Sequence, residues 1–305
     1  MNILITGIAG QIGSRLSEIL QQKSISHRGI DFAPCKTPGP FMQADLTKGD
    51  NGEDLRNFLA PVTHVIHLAG KISETTNFRT GLTEQFNVSV LSTLNLLEAL
   101  PRTIQHISFS SSMVVYGCPE KNPVEETAAL KPRNLYAWGK IAAEKYLSFY
   151  AKEIKIPIAM LRYSSVYGPG RITSRAIPNM IENSLNKEAP VINGTGKTTR
   201  DYVYIDDVSH ATILATMSAA SGNYNIGSGT GTSIKDLAEY IVNLTDLSSR
   251  PSYNKNLTDG YSLYYDINKA AGQLKYNPKV DLVTGLKKTI DWHILQRQKD
   301  ENFNK

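Results

Sequence analysis

Tyr136 and Lys140 stand four residues apart in Tyr136-Ala137-Trp138-Gly139-Lys140, a spacing that sets a phenol and an ammonium on one face of a helix. A free tyrosine titrates near pH 10, too high for a base at neutral pH, but a cation held beside it stabilises the phenolate. Such a pair can take a proton from an alcohol. The spacing alone is common; what strengthens it is the hydroxyl cluster Ser110-Ser111-Ser112, which closes a strand-like run 24 residues upstream of Tyr136.

A second constellation opens the chain. Ile3-Leu4-Ile5-Thr6-Gly7-Ile8-Ala9-Gly10-Gln11-Ile12-Gly13 reads as strand, turn and helix start with glycines three apart. Residues without a Cβ let backbone amides reach a pyrophosphate, and the helix N-terminus favours its negative charge. Asp31, 24 residues after Gly7, ends the next strand-like run. A carboxylate there accepts hydrogen bonds from ribose hydroxyls and repels a 2′-phosphate, which favours NAD over NADP. Arg28, close by, argues mildly the other way.

These residues need a scaffold that lines up strand ends. Asn2–Thr6, His27–Asp31, His64–Leu68, Ile104–Ser108 and Pro157–Arg162 read as strands; Gln11–Gln22, Thr83–Leu100 and Tyr136–Lys152 read as amphipathic helices between them. Apolar strands without polar alternation, separated by helices, predict a doubly wound parallel sheet covered on both faces, an α/β Rossmann fold. After residue 165 the rhythm breaks. Residues 1–165 are expected to form the dinucleotide-binding domain, with a return to it around 201–217, and 166–305 a smaller substrate lobe holding a helix over Ile177–Lys187, a loop over Asn193–Thr199 and a strand over Asp201–Ile205.

Composition narrows the classes. With 41% hydrophobic and 20% charged residues the chain is an ordinary globular one. Its 33 basic and 28 acidic residues are scattered, so no nucleic-acid patch is expected. Cys35 and Cys118 are far apart, without the spacing of a metal site, and are read as reduced thiols with no metal bound. The short apolar start runs straight into the glycine loop, unlike a leader peptide, and no run approaches the length of a membrane span; a cytoplasmic enzyme is expected.

Taken in order along the chain, Thr6-Gly7 to Gly13, Asp45-Leu46, His67-Leu68-Ala69-Gly70, the Ser112 cluster, Tyr136 to Lys140, Tyr167-Gly168-Pro169-Gly170, Arg200-Asp201-Tyr202, Asn225-Ile226-Gly227 and Asp266 to Ala270 resemble the extended short-chain dehydrogenase/reductase family, in its NAD-dependent nucleotide-sugar epimerase/dehydratase group. That resemblance implies NAD held by Gly7, Gly10, Gln11, Ile12, Gly13, Asp31, Asp45, Leu46, Leu68, Ala69, Gly70, Tyr136 and Lys140. It implies that Ser112 hydrogen-bonds the reacting hydroxyl, Tyr136 removes its proton, and Lys140 holds the nicotinamide ribose and lowers the tyrosine pKa. It also implies a homodimer built on the helices of Thr83–Leu100 and Tyr136–Lys152.

Where the chain departs from the family pattern, the reaction narrows. Dehydratases of the group carry an Asp-Glu pair directly after the catalytic hydroxyl residue, and sugar-acid decarboxylases a Glu at the second place; here stand Met113 and Val114, which move no proton. Epimerisation at C4 of a nucleotide-diphosphate sugar is favoured, with net sugar or keto-sugar oxidoreduction as the alternative and a non-catalytic NAD sensor as a lesser one. Arg200 matches the arginine that grips the diphosphate, Lys255 lies near the place of a second such arginine, and Ser165 replaces a substrate-contacting Asn. Ser89 and Ser92 replace an Asn and a Gly, changes expected to alter contacts on the substrate side.

Overall fold

The computed structural model describes residues 1–49, 52–71, 78–170 and 176–303. The strands are β1 (Ile3–Thr6), β2 (His27–Asp31), β3 (Phe41–Gln43), β4 (His64–His67), β5 (His106–Ser112), β6 (Ile158–Tyr163), β7 (Ser165–Tyr167), β8 (Val191–Asn193), β9 (Thr199–Tyr204), β10 (Gly222–Ile226), β11 (Gly231–Ser233) and β12 (Ser252–Asn254). The helices are α1 (Gln11–Gln22), α2 (Gly52–Leu59), α3 (Phe78–Phe86), α4 (Ser92–Ala99), α5 (Leu135–Ile154), α6 (Ala176–Leu185), α7 (Ile205–Met217), α8 (Ile234–Leu244), α9 (Asn268–Leu274) and α10 (Leu282–Phe303).

Among the described residues the main sheet has seven strands in the order β10-β6-β5-β4-β1-β2-β3, every neighbouring pair parallel. The expected doubly wound parallel sheet is therefore present. Helices cover both faces because alternate strand residues point to opposite sides, and both sides are apolar. On β1, Leu4 packs with Leu55 and Leu59 of α2, Leu96 of α4 and Leu147 of α5. Its neighbours Ile3 and Ile5 pack with Leu16 and Leu20 of α1 and Ile213 of α7 on the other face. Between β1 and β4 the strand order reverses, and the crevice beyond the carboxyl ends of these strands is where open α/β sheets bind ligands.

The first five expected strands stand at β1, β2, β4, β5 and β6, β2 with the expected bounds and the others with ends differing by at most four residues. Thr83–Leu100, expected as one helix, lies in a longer helical run whose middle, Asn87–Leu91, widens into a π-turn. Hydroxyls there bond back onto the helix, Ser92 Oγ to the Val88 carbonyl at 2.6 Å and Thr93 Oγ1 to the Ser89 carbonyl at 2.8 Å, a habit of helical Ser and Thr. The Asp201–Ile205 strand is β9, beginning at Thr199 and ending at Tyr204, because Ile205 already starts α7. Helix α7 packs beside α1 and over β4, β5 and β6, and β10 is added alongside β6.

Outside the main sheet, β7, β9 and β11 form a small sheet, and β8 pairs with β12. Asp201 on β9 is fully buried and collects the loops around it: its carboxylate accepts from Ser164 Oγ, from the Ser228 amide and hydroxyl, and from the Gly229 and Tyr265 amides. Loss of water raises its pKa, and those donors oppose the rise.

Candidate active site

Ser112 is the last residue of β5 and caps the 3₁₀ turn Met113–Tyr116 that follows. Ser110 and Ser111 are buried within the strand, whereas Ser112 is partly open. The chain then turns away through Gly117, whose φ of 58° is the left-handed conformation glycine adopts without strain.

The α5 helix starts at Leu135 because Asn134 caps it, its Oδ1 accepting from the Ala137 amide at 2.8 Å. Tyr136 thus sits in the first turn and Lys140 in the second. Lys140 Nζ is 5.7 Å from the centre of the Tyr136 ring, 4.8 Å from that of Phe109, and donates to the Ser110 carbonyl at 2.7 Å. The ammonium is 2% exposed. Burial lowers its pKa to about 8, against a small opposing pull from Glu144. Lys140 thus ties the Tyr136 end of α5 to the carboxyl end of β5, two residues before Ser112.

The glycine loop has the form a pyrophosphate cradle needs. A Cβ on Gly13 would meet the Gly7 carbonyl at 2.2 Å, and one on Gly7 the Ala69 amide at 2.9 Å, so neither position admits a larger residue. A Cβ on Gly70 would crowd Lys140 Nζ at 3.1 Å. Asp31 is 8% exposed, and its two oxygens accept from the Ala9 and Ala33 amides at 2.9 and 3.0 Å. The carboxylate therefore fastens the glycine loop to β2. Arg28 stands at the opposite parity of β2 from Asp31; it donates to the Phe58 carbonyl at 2.7 Å and lies over the Phe58 ring, which takes its charge away from the Asp31 side.

Beneath the loop, Thr6 Oγ1 bonds His67 Nδ1 at 2.7 Å, and His67 Nε2 bonds Thr93 Oγ1 at 2.9 Å. Thr6 also accepts from the Ala69 amide at 3.2 Å. Burial pushes the His67 pKa down to about 3, helped by the Lys140 charge, so the imidazole is neutral and links β1, β4 and the helical run.

The other expected site residues fall in distinct places. Asp45 accepts from the Thr47 amide and hydroxyl and thereby shapes its own turn, and Leu46 is core. Ile12 is partly buried against the core. Gln11 reaches across with its side chain: Nε2 donates to the Gly168 and Pro169 carbonyls at 2.8 and 3.1 Å. Ser165 lies beside the Ser112 turn, its hydroxyl 3.5 Å from Met113 Sδ. Arg200 donates to the Thr199 and Tyr261 carbonyls and stacks on the Tyr261 ring at 4.7 Å. Lys255 is exposed in the loop after β12, and among the described residues no contact joins it to Arg200. Ser89 accepts from Gln85 Nε2 and rests where a Cβ on Gly139 would lie, and Ser92 bonds within its helix. Both hydroxyls thus serve the packing of the helical run, Ser89 directly against α5.

Sequence reasoning passed over a buried network behind the site. Glu144, one turn beyond Lys140, grips Arg162 of β6 at 3.0 and 2.8 Å. Arg162 donates to Tyr116 OH at 2.9 Å, and Tyr116 donates to Asn225 Oδ1 at 2.7 Å. The four-residue step from Tyr136 to Lys140 to Glu144 was the available signal. Its partner on β6 lies 18 residues further along the chain, and only the fold brings it there.

A Rossmann sheet with a hydroxyl, phenol and buried ammonium at one strand end, beside a glycine loop, defines a dinucleotide-dependent enzyme. The family model for the NAD dependent epimerase/dehydratase family matches residues 3–227, and the chain belongs to that family. A UDP-glucose 4-epimerase of Mycolicibacterium smegmatis is 30% identical over 96% of this chain and 98% of its own length. The Thermotoga maritima UDP-glucose 4-epimerase, solved with UDP-glucose, superposes with a TM-score of 0.88 at 28% identity, covering 97% of this chain and all of that one. The Bacillus cereus UDP-glucuronic acid 4-epimerase, solved with UDP-glucuronic acid and NAD, gives 0.86 at 29% identity with the same coverage. No helix among the described residues is long and apolar enough to cross a membrane.

Proposed function

We propose that this enzyme epimerises C4 of a nucleotide-diphosphate sugar through a transient 4-keto sugar. The observation that carries the reading is the turn after Ser112. Met113 is buried and Val114 partly buried, so the two places next to the reacting hydroxyl hold no acid or base for eliminating water. The resemblance to 4-epimerases along the full chain supports it.

The glycine loop over Gly7, Gly10 and Gly13 fits a dinucleotide pyrophosphate. Asp31 would hold the adenosine ribose, Asp45-Leu46 the adenine side, Leu68-Ala69-Gly70 the passage to the nicotinamide, and Lys140 the nicotinamide ribose. Bound NAD supplies the acceptor and then the donor of the hydride. Ser112 Oγ donates to the sugar hydroxyl and orients it. The Lys140 ammonium stabilises Tyr136 as the phenolate, which takes the proton of the sugar hydroxyl to become the phenol and gives it back when the hydride returns to C4. Ser165 lies near enough to the Ser112 turn to touch the sugar, and Arg200 grips the diphosphate as a planar, always-charged donor.

A homodimer accompanies this reading. Trp138, Tyr146 and Phe149 on α5 and Leu82 and Phe86 on α3 are 44–64% exposed on two packed helices, an apolar stripe suited to a second copy. Phe149→Glu is expected to shift the mass in light scattering from dimer to monomer; a parent already monomeric at micromolar concentration refutes the dimer. The exposed free thiol of Cys118 suits the reducing cytoplasm.

The decisive experiment is a nucleotide-sugar panel without added cofactor, with Tyr136→Phe beside the parent. The variant should retain NAD and lose turnover by about 10²–10⁴-fold. Stoichiometric change in nicotinamide absorbance in place of epimer exchange would mean net oxidoreduction, and unchanged turnover in the variant would remove Tyr136 as the base.

A further inference from the structure

Arg133 stands three residues before Tyr136, just ahead of the Asn134 cap. Its guanidinium carbon is 5.6 Å from the centre of the Tyr261 ring, and that of Arg200 is 4.7 Å from the same centre. The two cations therefore lie no more than about 10 Å apart, although one comes from the mouth of the catalytic helix and the other from β9. Among the described residues neither forms an ion pair.

Three features of this arrangement are unfavourable in the protein alone. Like charges around one ring repel. A cation at the amino end of α5 opposes the helix dipole. Arg200 is half-buried, and loss of water lowers its pKa with no carboxylate to oppose the fall. An anion placed between the two guanidinium groups offsets all three.

We propose that Arg133 and Arg200 together clamp the diphosphate of the substrate, with Arg133 filling the second cationic place and the Tyr261 ring as the surface both groups share. The assignment rests on the nucleotide-sugar reading. The separation suits it, since a guanidinium bonded to a phosphate at charge-assisted distances puts its carbon about 4 Å from phosphorus, one at each end of a diphosphate. Tyr261 holds Arg200 twice, through its ring and its carbonyl, while Arg133 is exposed and free to close on the ligand. Lys255, the cation nearest in sequence to the expected place, makes no contact with this pair among the described residues.

The test uses NAD-loaded parent, Arg133→Met and Lys255→Met proteins, titrated by calorimetry with UDP, GDP and dTDP and with the matching nucleosides. Arg133→Met should weaken the preferred nucleoside diphosphate by about 10- to 100-fold and leave its nucleoside unchanged. It should raise KM while sparing kcat; Lys255→Met should change neither. An Arg133→Met protein that binds the diphosphate like the parent overturns the assignment, as does a loss shared equally with the nucleoside. A loss seen only with a UDP-uronic acid and not with UDP moves Arg133 to the sugar carboxylate and also overturns it. A parent that binds none of the nucleoside diphosphates removes the nucleotide-sugar reading itself, and the clamp with it. Because Arg133 is exposed, its variant should melt with the parent, which separates lost binding from lost fold.

Discussion

Replacing Lys140 by Met should make the protein more stable and nearly inactive. The ammonium sits 2% exposed, with its pKa brought from an ordinary 10.5 to about 8 by burial. A displacement of that size corresponds to roughly 3 kcal/mol against the charged form at neutral pH. Against it stands the charge-assisted bond to the Ser110 carbonyl, worth about 1.5–3 kcal/mol. Methionine follows the same path past Phe109, keeps an apolar contact with the ring and carries no charge into it. The net expectation is a gain of about 1 kcal/mol, or roughly 2–4 °C in Tm. The effect fades with alkali. Between about pH 8 and 10.5 the unfolded chain binds the proton that folded Lys140 has lost, so parent stability rises with pH there and the advantage of the variant shrinks. Calorimetric scans of NAD-stripped parent and variant at pH 7 and pH 10 measure both effects, and a turnover assay measures the loss of the cation that supports the phenolate. A variant that melts below the parent at pH 7, or a gap that fails to close by pH 10, refutes the reasoning.

Glu144→Gln leaves Arg162 buried without its counter-charge and should destabilise the fold by about 3–5 kcal/mol in urea titrations. The same change removes the charge that supports protonated Lys140, so the alkaline limb of the activity profile should move to lower pH; a limb that stays in place would show that Glu144 does not reach Lys140 electrostatically. Asp31→Ala takes the acceptor from the Ala9 and Ala33 amides and should raise the NAD dissociation constant by at least about tenfold. It should also weaken the preference for NAD over NADP in competition titrations, and an unaltered preference would separate Asp31 from the ribose.

Much of this was legible along the chain because it depends on neighbours in sequence. The four-residue step from Tyr136 to Lys140 is a property of any helix, and the glycines of the first turn are required where their own backbones approach Gly7 and Ala69. The apolar strands His64–His67 and Ile158–Tyr163 declared a sheet covered on both faces. Short elements escaped. Phe41–Gln43 and Gly222–Ile226 carry little pattern of their own and become strands by pairing with β2 and β6.

What only the tertiary structure decided is where charge ends up. Lys140 reads in sequence as a helix cation, but burial against Phe109 and Ser110 makes it an ammonium whose pKa nears the working pH. Arg28 reads as a threat to NAD, but strand parity turns it to Phe58. Along the sequence Lys255 lies near the place of a second phosphate cation, while the cation that shares the Tyr261 ring with Arg200 is Arg133, more than sixty residues from it in the chain. Solvation and long-range proximity set these outcomes. Both are properties of the folded surface, and no local spacing encodes them.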